Sequence, residues 1–110
     1  MTKYREISTN DITKEALLIL KAKGYNVWRH NQVKVPGRAF VGKRGCSDII
    51  GHTPTGKFVV CEVKKRGDKL SEDQKQFLDE ASRAGCLTFL AVQKGPDVEL
   101  VSYDTNIANT

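Results

Sequence analysis

Residues 57–65 read Lys-Phe-Val-Val-Cys-Glu-Val-Lys-Lys, and Glu62 and Lys64 interrupt the apolar run of a buried strand before it ends. Ionised groups in a sheet's interior cost several kcal/mol each unless paired or coordinated. Residues two apart on a strand share a face, so Glu62 and Lys64 project together beside Phe58 and Val60. The preceding segment, Asp48 to Thr53, reads as a second strand, joined to the first by Pro54-Thr55-Gly56. Pro suits the first position of a type I turn, and Gly the left-handed residue that closes a three-residue hairpin loop. That loop pairs Thr53 with Lys57. Asp48 then falls opposite Glu62, with Cβ atoms roughly 4.5–5.5 Å apart. A loop one residue longer would put the two carboxylates on opposite faces of the sheet.

Two carboxylates that close repel each other unless a cation sits between them. Mg2+ is the natural occupant, since it takes oxygen ligands and is usually bound through one or two carboxylates together with water and phosphate. Lys64 is badly placed as a metal ligand and well placed to bind a phosphate oxygen or to polarise a metal-bound water. Metal, water and lysine gathered at a phosphodiester describe in-line hydrolysis. A Glu-x-Lys tripeptide alone reads equally as a surface salt bridge at a strand end, and the Asp in register on the neighbouring strand is what sets this one apart.

The rest of the chain predicts an α/β domain, a mixed sheet with helices packed on it, in the order α-β-β-β-α-β-β. A helix is expected over residues 11–23, capped by Asn10 or Asp11 and ended by Gly24, then a strand over 25–30. Residues 31–45 form a basic loop rich in Gly and Pro. A second helix runs from Ser71 to Ala84, with strands at 87–92 and 98–103 and a frayed end beyond. Its buried stripe holds Leu70, Phe77, Leu78, Ala81 and Ala84, and Gln74 lies on that stripe facing the sheet. Gln74 also has an ordinary explanation, because Ser71-x-x-Gln74 is a capping box. In the first helix, Glu15 falls among Ile12, Ala16, Ile19 and Ala22 and is expected on the same side, or else as an edge residue reaching for solvent.

Charge narrows the partners. The net charge is +5 and the pI about 9.2, which favours a polyanion, nucleic acid before an acidic membrane. Arg29, Lys34, Arg38, Lys43, Arg44, Lys65, Arg66 and Lys69 flank the proposed site and could track phosphates without reading sequence. No helix-turn-helix, zinc-finger or RNA-recognition signature is present, so shape recognition is the better expectation. The three cysteines, Cys46, Cys61 and Cys86, are odd in number and widely spaced, as thiols in a reducing compartment would be. With no apolar span or signal peptide, a cytosolic protein is expected. His30 and His52 are the rival catalysts, and neither has metal-ligand spacing with another His or Cys. The edge strand at 98–103 and the apolar 87–92 segment, Leu-Thr-Phe-Leu-Ala-Val, are the candidate surfaces for self-association.

Taken together, Glu15 in a first helix, Trp-Arg-His-Asn at 28–31, Gly-Cys-Ser-Asp-Ile-Ile-Gly at 45–51, Cys-Glu-Val-Lys-Lys at 61–65 and the 70–85 helix resemble the VRR-NUC domain, a branch of the PD-(D/E)XK nuclease superfamily. The resemblance covers roughly residues 11–93. It implies a restriction-endonuclease-like fold in a single domain over residues 1–110, with a core of about 11–103. It implies that Asp48, Glu62 and the backbone carbonyl of Val63 bind Mg2+ or Mn2+, that Lys64 is the catalytic lysine, that Gln74 is the active-site glutamine, and that Glu15 completes the acidic pocket. Arg29 and Asn31 match positions after the family's first strand. Ser47 stands where many members carry Pro, a departure expected to alter the path into the strand and not the chemistry. The further implication is an endonuclease that cuts branched DNA such as four-way junctions, a homodimer without an organic cofactor, of viral or prophage type and at work in the cytoplasm of a bacterial host. The rival is a non-catalytic nucleic-acid-binding module on the same fold, which would be expected to have lost a ligand or the lysine.

Overall fold

The computed structural model describes residues 4–30 and 46–103. Helix α1 (Thr9–Ala22) is followed by strands β1 (Asn26–Arg29), β2 (Ile49–His52) and β3 (Phe58–Lys64), helix α2 (Glu72–Arg83), and strands β4 (Leu87–Lys94) and β5 (Asp97–Ser102). The strands form one sheet in the order β1-β2-β3-β4-β5, antiparallel except for the β3–β4 pair. That single parallel pair needs a crossover, and α2 supplies it. The α/β reading and the element order therefore hold.

Several boundaries differ from expectation for local reasons. Helix α1 starts two residues early, at Thr9, because the Ser8 hydroxyl accepts from the Asp11 amide and does the capping expected of Asn10 or Asp11. Strand β4 runs to Lys94, since the Gly95-Pro96 turn lets Gln93 and Lys94 pair with Val98 and Asp97. As β4 lies between β3 and β5, its apolar 87–92 segment is interior to the sheet and offers no edge for self-association. Among the described residues the edge strands are β1 and β5.

Alternation along β3 explains how the sheet is covered. Val59, Cys61 and Val63 join Ile12, Ala16 and Leu20 of α1 in one core, together with Val27, Ile49 and Ala91. Each fully buried Ile or Leu of that set stabilises the fold by roughly 1.5–3 kcal/mol. Val60 and Glu62 point the other way, toward the face that carries α2, whose Leu78 is fully buried. Because β3 is covered on both faces, the five residues from Val59 to Val63 are all buried, Glu62 among them. Among the described residues no helix is long and apolar enough to cross a membrane.

Candidate active site

The hairpin sets the register. Thr53 donates its amide to the Lys57 carbonyl at 2.8 Å, Gly56 donates to the Thr53 carbonyl at 3.1 Å, and Gly56 takes φ +90°. Pairing then proceeds from His52–Phe58 to Ile49–Cys61, so the next step faces Asp48 with Glu62. Hydrogen-bonded pairs recur at every second residue, and a continued ladder would give the Val63 N–H to the Ser47 carbonyl. Here the strands part. Asp48 Oδ2 accepts the Val63 N–H at 2.9 Å instead, while the Asp48 carbonyl accepts from the His30 amide at 2.7 Å. A strand residue's N–H and C=O point to the same edge, so the Val63 carbonyl also lies on the side of Asp48.

Glu62 is only 2% exposed. Gln74 Nε2 donates to its Oε1 at 2.9 Å. Among the described residues the other oxygen, Oε2, has no hydrogen-bond partner, nor does the fully buried Ser47 hydroxyl. Burial first, and the negative charge of Asp48 after it, raise the Glu62 carboxyl to about 9, with the charge of Lys64 pulling the other way. Both explanations of Gln74 are satisfied at once. Its Oε1 accepts the Ser71 amide at 2.9 Å in the capping box, and this fixes the side-chain amide with its Nε2 turned to Glu62. Lys64, two residues on, is half-buried and has no hydrogen bond or ion pair among the described residues.

The flank of Asp48 toward α1 is a cleft of about 250 Å³ lined by Thr9, Asn10, Thr13, Arg29 and Asp48. Thr13 is buried and donates to the Thr9 carbonyl at 2.8 Å, and Arg29 Nη2 reaches the Asn10 carbonyl at 3.5 Å. Glu15 is not here. The buried stripe of α1 is Ile12, Thr13, Ala16 and Leu20, which leaves Glu15 exposed on the helix flank. Sequence reasoning chose the carboxylate for its chemistry. The signal for Thr13 was available in its i+3 and i+7 spacing to Ala16 and Leu20. Among the described residues no third Asp, Glu, His or Cys gathers with Asp48 and Glu62.

The family model described as the VRR-NUC domain matches residues 9–92. The chain belongs to the VRR-NUC family. Its fold is that of the wider PD-(D/E)XK nuclease superfamily, and it is similar to the solved structure of Hjc, a Holliday junction resolvase from the archaeal hyperthermophile Archaeoglobus fulgidus. The TM-score is 0.55 at 22% identity, over 86% of this chain and 76% of the resolvase chain. No curated protein matches the sequence.

Within this VRR-NUC domain, Asp48, Glu62, Lys64 and Gln74 lie at the ends of β2 and β3 and the start of α2, and among the described residues the buried unpartnered side-chain atoms, Glu62 Oε2 and Ser47 Oγ, are oxygens. Arg29 stands beside Asp48 in the α1 cleft. Lys65 pairs with Glu6 at 3.5 Å on the surface, and Arg66 and Lys69 are exposed. Asn31, Lys34, Arg38, Lys43 and Arg44 lie outside the described residues. His52 is at the far end of β2, bonded to Asn26 and edge-on to the Trp28 ring at 6.2 Å, away from the carboxylates.

Proposed function

We propose that this VRR-NUC domain is an Mg2+- or Mn2+-dependent endonuclease that hydrolyses phosphodiester bonds in branched DNA. The observation that carries the reading is the Asp48–Glu62 pair, with Glu62 Oε2 buried and unpartnered beside a second carboxylate. Such an arrangement is costly for the protein alone and matches the oxygen donor set of a hard divalent ion. Asp48, Glu62 and the Val63 carbonyl would hold the ion. When bound, it supplies charge stabilisation at the scissile phosphate and acidifies the attacking water.

The side chains divide the remaining work. Gln74 holds the Glu62 carboxylate in its rotamer. Lys64, on the same strand and face and with no ion pair among the described residues, would hold a non-bridging phosphate oxygen or orient the water for in-line attack. Arg29 in the α1 cleft offers a bidentate donor to a neighbouring phosphate. The basic balance, without a sequence-reading motif, suits recognition of backbone shape. A four-way junction is itself two-fold symmetric and needs paired cuts, which a homodimer would deliver. The name of the Hjc neighbour, a Holliday junction resolvase, points to the same substrate class.

The test is cleavage by the purified chain of four-way, flap, linear duplex and single-stranded DNA, with Mg2+, Mn2+ or chelator. Metal-dependent cutting of the four-way substrate in preference to linear duplex is expected. Lys64→Ala should cut at least ~100-fold more slowly while still binding DNA. Wild type that binds branched DNA and never cuts it with either metal would leave only the binding-module reading.

A further inference from the structure

Trp28, His52 and Phe58 carry rings that the proposed chemistry does not use. Val60 and Glu62 share a face, and strand pairing carries that face across the sheet, with Trp28 opposite Ile50 and Ile50 opposite Val60. Trp28 therefore lies on the Glu62 side of the sheet. It is one strand across and two residues back from Asp48, a Cα separation of roughly 8 Å. His52 and Phe58 form the next row on that face, directly opposite each other. Helix α2 packs on β4. The rings beyond it stay open to solvent: Trp28 is 45% exposed, Phe58 43%, and His52 is exposed as well.

Single exposed apolar residues are ordinary. These three are neither scattered nor loose. The His52 and Trp28 rings meet edge-on, with centroids 6.2 Å apart. Asn26 Nδ2 donates to His52 Nε2 at 3.2 Å, which leaves Nδ1 to donate to the Thr53 carbonyl at 3.4 Å. The imidazole is thus held at both nitrogens and braces an indole that keeps nearly half its surface in water. The next residue on β1, Arg29, lines the cleft beside Asp48. One edge strand therefore presents a phosphate donor and a flat, fixed ring in succession.

We propose that Trp28, with His52 and Phe58 behind it, is a stacking platform for unpaired nucleobases beside the cutting site. Every base has a π-face, so such rings take bases without reading sequence. An intact duplex keeps its bases stacked on one another and has none to give, whereas a flap or a branch point does. The platform sorts branched DNA from linear duplex by base exposure. Charge alone does not, because both carry the same phosphates. The rival occupant of this face is a second copy of the chain, and Arg29 at its side favours the polyanion. The inference rests on the DNA reading above and deepens it, and its test runs without metal so that the two can fail separately.

Trp28 is the one tryptophan of the chain, so intrinsic fluorescence reports on the platform directly. The full chain in chelator is titrated with oligo(dT), with a duplex carrying a dT flap, and with the same duplex left blunt. Quenching of Trp28 by the first two and not by the blunt duplex is expected. Trp28→Ala should weaken oligo(dT) and flap binding by about 5–150-fold, read by anisotropy of labelled DNA. Its blunt-duplex binding should change by less than about twofold, and Trp28→Phe, which keeps a ring, should recover most of the loss. Equal losses on all three DNAs, or saturation with oligo(dT) without quenching, overturns the proposal. Should Trp28→Ala fail to fold, the quenching of the wild type decides alone. A wild-type dimer that Trp28→Ala converts to monomer, by light scattering, assigns the face to a second copy and overturns it too. Quenching by a chain that never cuts with Mg2+ or Mn2+ would sink the nuclease reading and keep the platform.

Discussion

Glu62 shows how one residue can be destabilising for the fold and necessary to the proposed chemistry. Its carboxyl is raised from an ordinary 4.5 to about 9 by burial first and by Asp48 second. A folded-state pKa above the unfolded one means that the folded protein binds this proton more tightly. The resulting stability is fully present below about pH 4.5 and is lost as pH rises toward about 9. Metal-free protein should therefore melt progressively lower between these limits, by at most about 1.4 kcal/mol per pH unit. Glu62→Gln should flatten the profile, which a series of thermal melts would reveal. Saturating Mn2+ should flatten it in the wild type, because a bound ion replaces the proton. Glu15, by contrast, is exposed on α1. Glu15→Ala should change Mn2+ affinity and cleavage rate by less than about threefold, and a loss of a hundredfold would restore it to the site.

At the scale of elements, the β2–β3 hairpin decides whether a site exists. The three-residue turn, closed by Gly56 at φ +90°, fixes the register that faces Asp48 with Glu62. One extra residue in that turn shifts the pairing and reverses which face each side chain takes. An insertion after Thr55 should leave a folded protein with Mn2+ binding lost, measured by circular dichroism and calorimetry together. Native-like binding would mean that the turn absorbs the residue as a bulge. Gly51 is the other fixed point. A Cβ there would sit 2.0 Å from the Asn26 carbonyl oxygen and 2.7 Å from the Val27 Cα, both backbone atoms. Gly51→Ala must push β1 off β2, so a loss of at least ~3 kcal/mol, or failure to fold, is expected in denaturant titration. Helix α2 couples to the site through the same Gln74 that caps its first turn, and α1 through Thr13 and the cleft it shares with Arg29.

Across the whole molecule, the proposed function makes the +5 balance the handle by which the chain would meet DNA. If about four phosphates are neutralised, affinity should fall on the order of a hundredfold between roughly 50 and 200 mM salt. Arg29→Ala should reduce that slope by about one, as read from binding isotherms at several salt concentrations. A salt-independent affinity would remove the case for backbone recognition.

Much of this was legible before any coordinates. Turn chemistry at Pro54-Thr55-Gly56 and the two-residue period of a strand were enough to set Asp48 against Glu62, because both are local rules. The Ser71-x-x-Gln74 box was equally local. What sequence could not decide depended on which face of α1 the sheet would bury. Glu15 and Thr13 are two residues apart on one helix, and only packing on Val59, Cys61 and Val63 turned Thr13 inward and left Glu15 outside. The same holds for β4, whose apolar run reads alike at an edge or in the middle of a sheet until the strand order is known. The sequence by itself determined the hairpin, its register and the residues brought together across it. Tertiary structure alone decided which helix residues reach them, and left the Glu62 Oε2 and the Ser47 hydroxyl buried with unmet hydrogen bonds among the described residues, because burial is a property of the assembled layers and of no single segment.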